Sequence, residues 1–143
     1  MPTDDEFRAI YADTKTIAVV GASGDPDKPA HSIPAYLQEQ GFRILPVSPK
    51  GGKLFGEQVA TSLSEIDEPV DVVDVFRPAD ETPKIAKEAV AAGAKVLWLQ
   101  TGISSDEAAE VAREGGLQVV MDTCMGETHR QLFRAPGQSP PSA

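Results

Sequence analysis

Ile17-Ala18-Val19-Val20 is apolar at every position and stops at Gly21-Ala22-Ser23-Gly24, four residues with almost no side chain. A strand with one wet face alternates apolar and polar residues. One without alternation is covered on both faces, as in the middle of a parallel sheet. This phrase therefore points to a layered α/β architecture. The small residues after it let another molecule approach the backbone, and N–H groups exposed there can receive phosphate oxygens. The same residues also suit an ordinary strand-to-helix turn, because G-x-x-G is a weaker signal than a full G-x-G-x-x-G fingerprint.

The phrase has echoes. Gly93-Ala94-Lys95-Val96-Leu97-Trp98-Leu99 ends one helix and begins a strand, and Gly115-Gly116-Leu117-Gln118-Val119-Val120-Met121 does so again. With Phe42-Arg43-Ile44-Leu45-Pro46-Val47 and Val70-Asp71-Val72-Val73-Asp74-Val75-Phe76, the count is five strands, near 16–20, 43–47, 71–76, 95–99 and 117–121. Thr3-Asp4-Asp5-Glu6 has the form of a capping box, and Phe7, Ile10 and Tyr11 follow at helical spacing over 4–13. A second helix is expected from Ser32 to Gln40, with Ile33, Tyr36 and Leu37 as its apolar stripe and Gly41 as its stop. A third opens near Asp80 and reaches Ala92. A fourth opens at a capping box, Ser104-Ser105-Asp106-Glu107, and runs to about Glu114. Helical crossovers imply parallel strands and right-handed connections. Residues 1–134 read as one domain. Residues 135–143, polar and proline-rich, read as a mobile tail.

A chain of 143 residues can bury a core of this kind. It has no apolar run near the length of a membrane span. Met1-Pro2-Thr3-Asp4-Asp5-Glu6 is acidic and lacks an apolar signal core, and the single cysteine, Cys124, excludes an internal disulfide. Both fit a reducing cytoplasm. A net charge of −9 argues against nucleic acid and anionic membranes as partners. A local basic cluster can still hold a phosphorylated small molecule.

In open parallel sheets, ligands bind beyond the C-terminal ends of the strands. Those ends carry Gly21, Ala22 and Ser23; Ser48, Pro49 and Lys50, with Lys53 behind; Phe76, Arg77 and Pro78; Gln100, Thr101, Gly102 and Ile103; and Asp122, Thr123 and Cys124. No acidic residue follows the second strand, where an NAD site holds its ribose diol. A lysine there favours an extra phosphate, such as that of NADP or the 3′-phosphate of coenzyme A. A solvated turn explains Lys50 and Lys53 equally well, and Arg77 on the same rim strengthens the phosphate reading.

In these segments the chain resembles the small coenzyme A-binding proteins related to the N-terminal domain of the succinyl-CoA synthetase α subunit. The resemblance rests on Val19-Val20-Gly21-Ala22-Ser23, Lys28-Pro29-Ala30-His31, Leu45-Pro46-Val47-Ser48-Pro49-Lys50, Val75-Phe76-Arg77-Pro78, Trp98-Leu99-Gln100-Thr101-Gly102-Ile103 and Asp122-Thr123-Cys124-Met125, over roughly residues 15–133. It implies a Rossmann-like three-layer α/β sandwich with strand order 3-2-1-4-5 and coenzyme A across the strand ends. By the same resemblance, Gly21, Ala22 and Ser23 line the pyrophosphate. Ser48, Pro49 and Lys50 face the phosphorylated ribose. Phe76, Arg77 and Pro78 lie beside the adenine, and Gln100, Thr101 and Gly102 border the pantetheine route. The synthetase's second domain, with its phosphorylated histidine, has no counterpart in this sequence.

Catalytic chemistry has few candidates. His31, at the loop-to-helix junction, reads either as a ligand contact or as a structural helix-start residue. His129 reads as a solvent-side helix residue. Cys124 reads as a reactive thiol near the pantetheine sulfur or, more simply, as a small residue in a tight turn. Two distant histidines and one cysteine do not make a metal site. Asp71 and Asp74, three apart in one strand, point to opposite faces and are no catalytic pair. The reading is a module that binds coenzyme A or an acyl-CoA, with no catalytic set. The alternatives are an NADP-binding oxidoreductase or a subunit of one, and a regulatory protein that uses an acyl-CoA as a signal. The protein partner, if any, is not legible.

Overall fold

The computed structural model describes residues 1–134. The expected tail at 135–143 lies outside the described residues. Helix α1 (Asp4–Asp13) leads into strand β1 (Thr16–Val20). Helix α2 (Pro29–Glu39) and strand β2 (Arg43–Val47) follow. A small antiparallel hairpin, β3 (Lys53–Leu54) with β4 (Glu57–Gln58), precedes β5 (Val72–Val75). The remainder is α3 (Thr82–Ala91), β6 (Val96–Leu99), α4 (Asp106–Glu114), β7 (Gln118–Val120) and α5 (Met125–Phe133).

Five strands make one parallel sheet in the order β2-β1-β5-β6-β7. Outside β2, Ala60 makes an isolated parallel bridge to Val47. With that bridge counted as a rudimentary third strand, the order reads 3-2-1-4-5-6. The expected 3-2-1-4-5 thus holds with the count shifted by one. The strand at 71–76 is the fourth, and it pairs with β1.

The sheet is covered on both faces, as its unbroken apolar runs require. Ala18, Leu45, Val73, Leu97 and Val119 pack against Ile85, Ala86 and Ala89 of α3 and Ala108, Ala109 and Ala112 of α4. Ile17, Val19, Ile44, Val72, Trp98 and Val120 pack on the opposite face, against Phe7, Ile10 and Tyr11 of α1, Leu37 of α2 and Met125 of α5. The alanines let α3 and α4 approach closely. The larger aromatic residues fill the space under α1. No helix among the described residues is long and apolar enough to cross a membrane.

The capping box at Thr3 forms as expected, with Thr3 and Glu6 each accepting the other's N–H at 3.2 Å. Three local expectations are corrected, and one hairpin is added. Helix α2 starts at Pro29 rather than Ser32, because proline at the first helical position has its φ preset and needs no N–H partner. The cap of α4 is Ser105, which accepts from Ala108 N–H at 3.1 Å, so the Ser104 box does not form. The 53–58 hairpin has strands too short for any pattern to announce it. His129 is buried, not on the solvent side. Its ring sits among Tyr11, Tyr36, Phe42 and Phe133, and its Nδ1 lies 2.8 Å from the Tyr36 hydroxyl.

Candidate functional site

The turn after β1 opens a cleft of about 680 Å³ at the C-terminal edge of the sheet. Gly21 has φ +92°, a conformation side chains resist, and a Cβ there would lie 2.9 Å from Arg77 Cδ and 3.2 Å from the Phe76 carbonyl. Glycine is thus required both by the turn and by the Arg77 stem lying across it. Gly21, Ala22 and Ser23 line the cleft on one side, Ser48, Pro49 and Lys50 on the second, Phe76 and Arg77 on the third. Lys28 stands at the mouth, with Asp25 nearby.

The loop holds itself differently from the sequence expectation. Gly21 and Ala22 donate their N–H groups to the Val47 carbonyl at 2.9 and 3.3 Å, and Ser23 donates to Ala30 at 3.2 Å. These three amides are therefore spent on the protein, and they do not form an exposed nest. The Gly24 N–H has no partner among the described residues. The cations on the cleft walls are Lys28, Lys50 and Arg77. Arg77 is held by Glu81 through two bonds, Nε to Oε1 at 3.2 Å and Nη2 to Oε2 at 2.7 Å. Both side chains are more than two-fifths exposed. A surface pair of this kind holds weakly, so an incoming phosphate can compete for the guanidinium.

A second pocket, about 380 Å³, adjoins the first and shares Lys28, Ala30 and Phe76 with it. Its walls are mostly apolar: Pro29, Ala30, Ile33, Phe76 and Ile103, with Gln100 and Thr101 at the end of β6. The remaining expected site residues stand outside both cavities. His31 donates through Nδ1 to the Ser23 carbonyl at 2.8 Å and packs on Phe55, so it braces the loop. Pro78 precedes a short helical turn on the exposed rim. Gly102 gives its N–H to Asp122 at 2.6 Å. Cys124 is the N-cap of α5, its sulfur accepting from Glu127 N–H at 3.4 Å. Burial pushes its thiol above the ordinary cysteine range, with a further push from Asp74.

Several lining residues carry no site assignment from sequence: Asp25 in the loop, Ala30 and Ile33 on α2, and Leu54 of the hairpin. Pro29 was the available signal for the first turn of α2. Leu54 had none. Asp74, no partner to Asp71, is fully buried, and burial lifts its carboxyl to about 7. Asp71, by contrast, lies just before β5 and accepts the N–H groups of Lys15 and Thr16 at 2.8 and 3.0 Å.

Fold and strand-end cleft together define a Rossmann-like α/β domain. Residues 15–130 match the family described as CoA binding domain. The chain belongs to that family. It is 38% identical over 128 residues to the Bacillus subtilis (strain 168) protein YneT, covering 90% of this chain and 95% of YneT. The Thermus thermophilus protein cell-free ID.343 has the same fold, with a TM-score of 0.89 and 45% identity over 92% of this chain and all (100%) of that one. The α subunit of the Pyrococcus furiosus ADP-forming acetate–CoA ligase I is 35% identical over 89 residues, which is 58% of this chain and 19% of the subunit. The chain thus spans about a fifth of that ligase subunit.

Proposed function

We propose that this protein binds coenzyme A, or an acyl-CoA, across the C-terminal ends of β1, β2 and β5. The supporting observation is the pairing of two unlike cavities. A polar cleft with Lys28, Lys50 and Arg77 on its walls adjoins a smaller, mostly apolar pocket. Coenzyme A has that division: a nucleotide with three phosphates at one end and a long, mostly aliphatic arm at the other. NAD and NADP carry a nucleoside at each end and no such arm. In this reading the pyrophosphate lies over the small side chains of the Gly21–Ser23 turn and pairs with Arg77, and Ser48, Pro49 and Lys50 face the phosphorylated ribose. Phe76 gives the base an apolar wall, and Gln100, Thr101 and Ile103 border the arm. His31 acts behind the loop, holding the Ser23 carbonyl. The acetate–CoA ligases among the relatives support the same ligand class. No reaction is part of this reading.

Calorimetric titration with coenzyme A, dephospho-coenzyme A, NADP and NAD tests it. Coenzyme A is expected to bind tightest and to raise Tm. Ligand at ~100 times its Kd adds roughly 2.7 kcal/mol by mass action. NADP or NAD binding more tightly than coenzyme A would reject the proposal in favour of a dinucleotide site.

A further inference from the structure

Asp74 interrupts an apolar strand. It pairs in register with Val19 of β1 and Trp98 of β6 and is fully buried. Its Oδ1 accepts one hydrogen bond, from Gln100 Nε2 at 2.5 Å. Its Oδ2 has no partner at all among the described residues. Leaving a buried carboxylate oxygen unpaired costs stability, and a valine would fill the strand position without that cost. Such a group is a candidate for function where it adjoins a cavity. Asp74 does so through Gln100.

The pair has directional chemistry. A carboxylate accepts only, so the amide must turn its NH₂ toward Asp74. The Gln100 carbonyl oxygen then faces away. It takes no hydrogen bond among the described residues and is not among the sealed, unpartnered atoms. Gln100 lines the mostly apolar pocket walled by Pro29, Ala30, Ile33, Phe76 and Ile103, with Thr101 beside it and Lys28 at the end shared with the larger cleft. A mostly apolar pocket with an amide acceptor held in one orientation suits an aliphatic arm that carries an N–H or S–H donor.

We propose that Asp74 is a positioning residue: it fixes the Gln100 amide so that its carbonyl oxygen accepts a hydrogen bond from the pantetheine arm, by an amide N–H or the terminal thiol. This rests on the coenzyme A reading above and adds the residue that tells the arm from a bare nucleotide. The titratable groups facing Asp74 are Tyr11 from α1 and Cys124 from the turn before α5. Burial pushes both upward, so both are neutral at pH 7. The strand neighbours Val19 and Trp98 bring no charge. When Asp74 is protonated, its hydroxyl can donate to Gln100 Oε1, the amide can flip, and the oriented acceptor is lost. Recognition of the arm is therefore expected to strengthen as pH rises from 6 to 8.

The test compares coenzyme A with adenosine 3′,5′-bisphosphate, which lacks the arm, on wild type and Asp74→Asn by calorimetry at pH 6, 7 and 8. Asparagine has the same shape but offers both donor and acceptor, so it no longer dictates the amide's direction. Asp74→Asn is expected to weaken coenzyme A on the order of fivefold at pH 8, the worth of one hydrogen bond. The bisphosphate should be unaffected. The wild-type ratio of the two affinities should rise with pH, and that of the variant should stay flat. Equal affinities in wild type and variant, or equal losses for both ligands, would overturn the positioning role while leaving the coenzyme A reading intact. Wild type binding neither ligand would overturn both. Gln100→Met, which keeps the volume and removes the acceptor, is a second variant. It must show the same selective loss, and its absence also overturns the proposal.

Discussion

Ser23 donates its backbone N–H to the carbonyl of Ala30 at 3.2 Å. That carbonyl is available because of Pro34. Within α2 the residue four along from Ala30 would ordinarily bond it, and proline has no N–H to give. The missing helical bond and the loop anchor are therefore one arrangement, with His31 gripping the Ser23 carbonyl from the same turn.

Pro34→Ala restores the helical donor and sets it in competition with Ser23. The Ser23 amide is expected to exchange with deuterium faster in the variant, and coenzyme A binding to weaken, while helix content by circular dichroism holds or rises. Unchanged exchange at Ser23 would show that its bond to Ala30 survives without the proline.

Gly21 is the position where the turn and Arg77 meet. Its φ of +92° alone makes Gly21→Ala unfavourable, by about 1–2 kcal/mol, and the added Cβ crowds Arg77 and the Phe76 carbonyl. A lower Tm is expected, measured by thermal denaturation without ligand. A variant as stable as wild type would mean that the turn relaxes to another conformation.

The sheet and its layers were legible because long apolar runs and glycine stops leave few alternatives. Val72-Val73-Asp74-Val75 reads as a buried strand even with a carboxylate inside it. Which strands adjoin was not legible from periodicity and came only by resemblance. The cleft's outline was legible from strand ends. The use of its amides was not, because Val47 and Ala30 accept them across the fold. His129 looked solvent-facing because Glu127, Thr128 and Arg130 surround it in sequence. The aromatic residues that bury it come from α1, α2 and the turn before β2. Separations of that kind leave no local trace.

Burial holds the His129 imidazole below its ordinary pKa, favouring the neutral ring among its aromatic neighbours. A depressed folded pKa means that the unfolded chain binds the proton more readily. The stability this group contributes is complete above about 6.5, the unfolded value. It is lost as pH falls through the lower folded value. His129→Phe removes the titration. Its stability relative to wild type is therefore expected to improve as pH falls from 7 to 5, by urea unfolding at each pH. A constant difference across that range would place the ring in water.

Lys50 offers a charge test of the ribose side. It is exposed at the end of β2, its N–H bonded to Ser48 Oγ at 3.3 Å. If it meets the 3′-phosphate, Lys50→Ala should weaken coenzyme A about fivefold to tenfold and dephospho-coenzyme A far less. Long-range attraction alone would weaken anionic ligands in proportion to charge, and added salt would remove the difference. Calorimetry with both ligands at two salt concentrations separates these. Equal losses would leave Lys28, Lys53 or Arg77 as the phosphate partner.

Asp74 has the opposite pH signature to His129. Burial raises its folded pKa to about 7, while an unfolded aspartate titrates near 3.9. The folded state therefore binds the proton more tightly, and this group's contribution is full below about pH 4. It is lost as pH rises through 7, at up to about 1.4 kcal/mol per pH unit within that window. Asp74→Asn keeps an acceptor for Gln100 Nε2 and carries no charge to bury. The variant is thus expected to gain stability over wild type steadily from pH 4 to pH 7 and to hold that gain at pH 8. Urea unfolding at unit steps of pH measures it. A variant less stable than wild type at pH 8 would mean that the ionised carboxylate has a partner in the fold that asparagine cannot replace. A gain in stability paired with the selective loss of coenzyme A described above would identify a carboxylate kept for binding at the expense of stability.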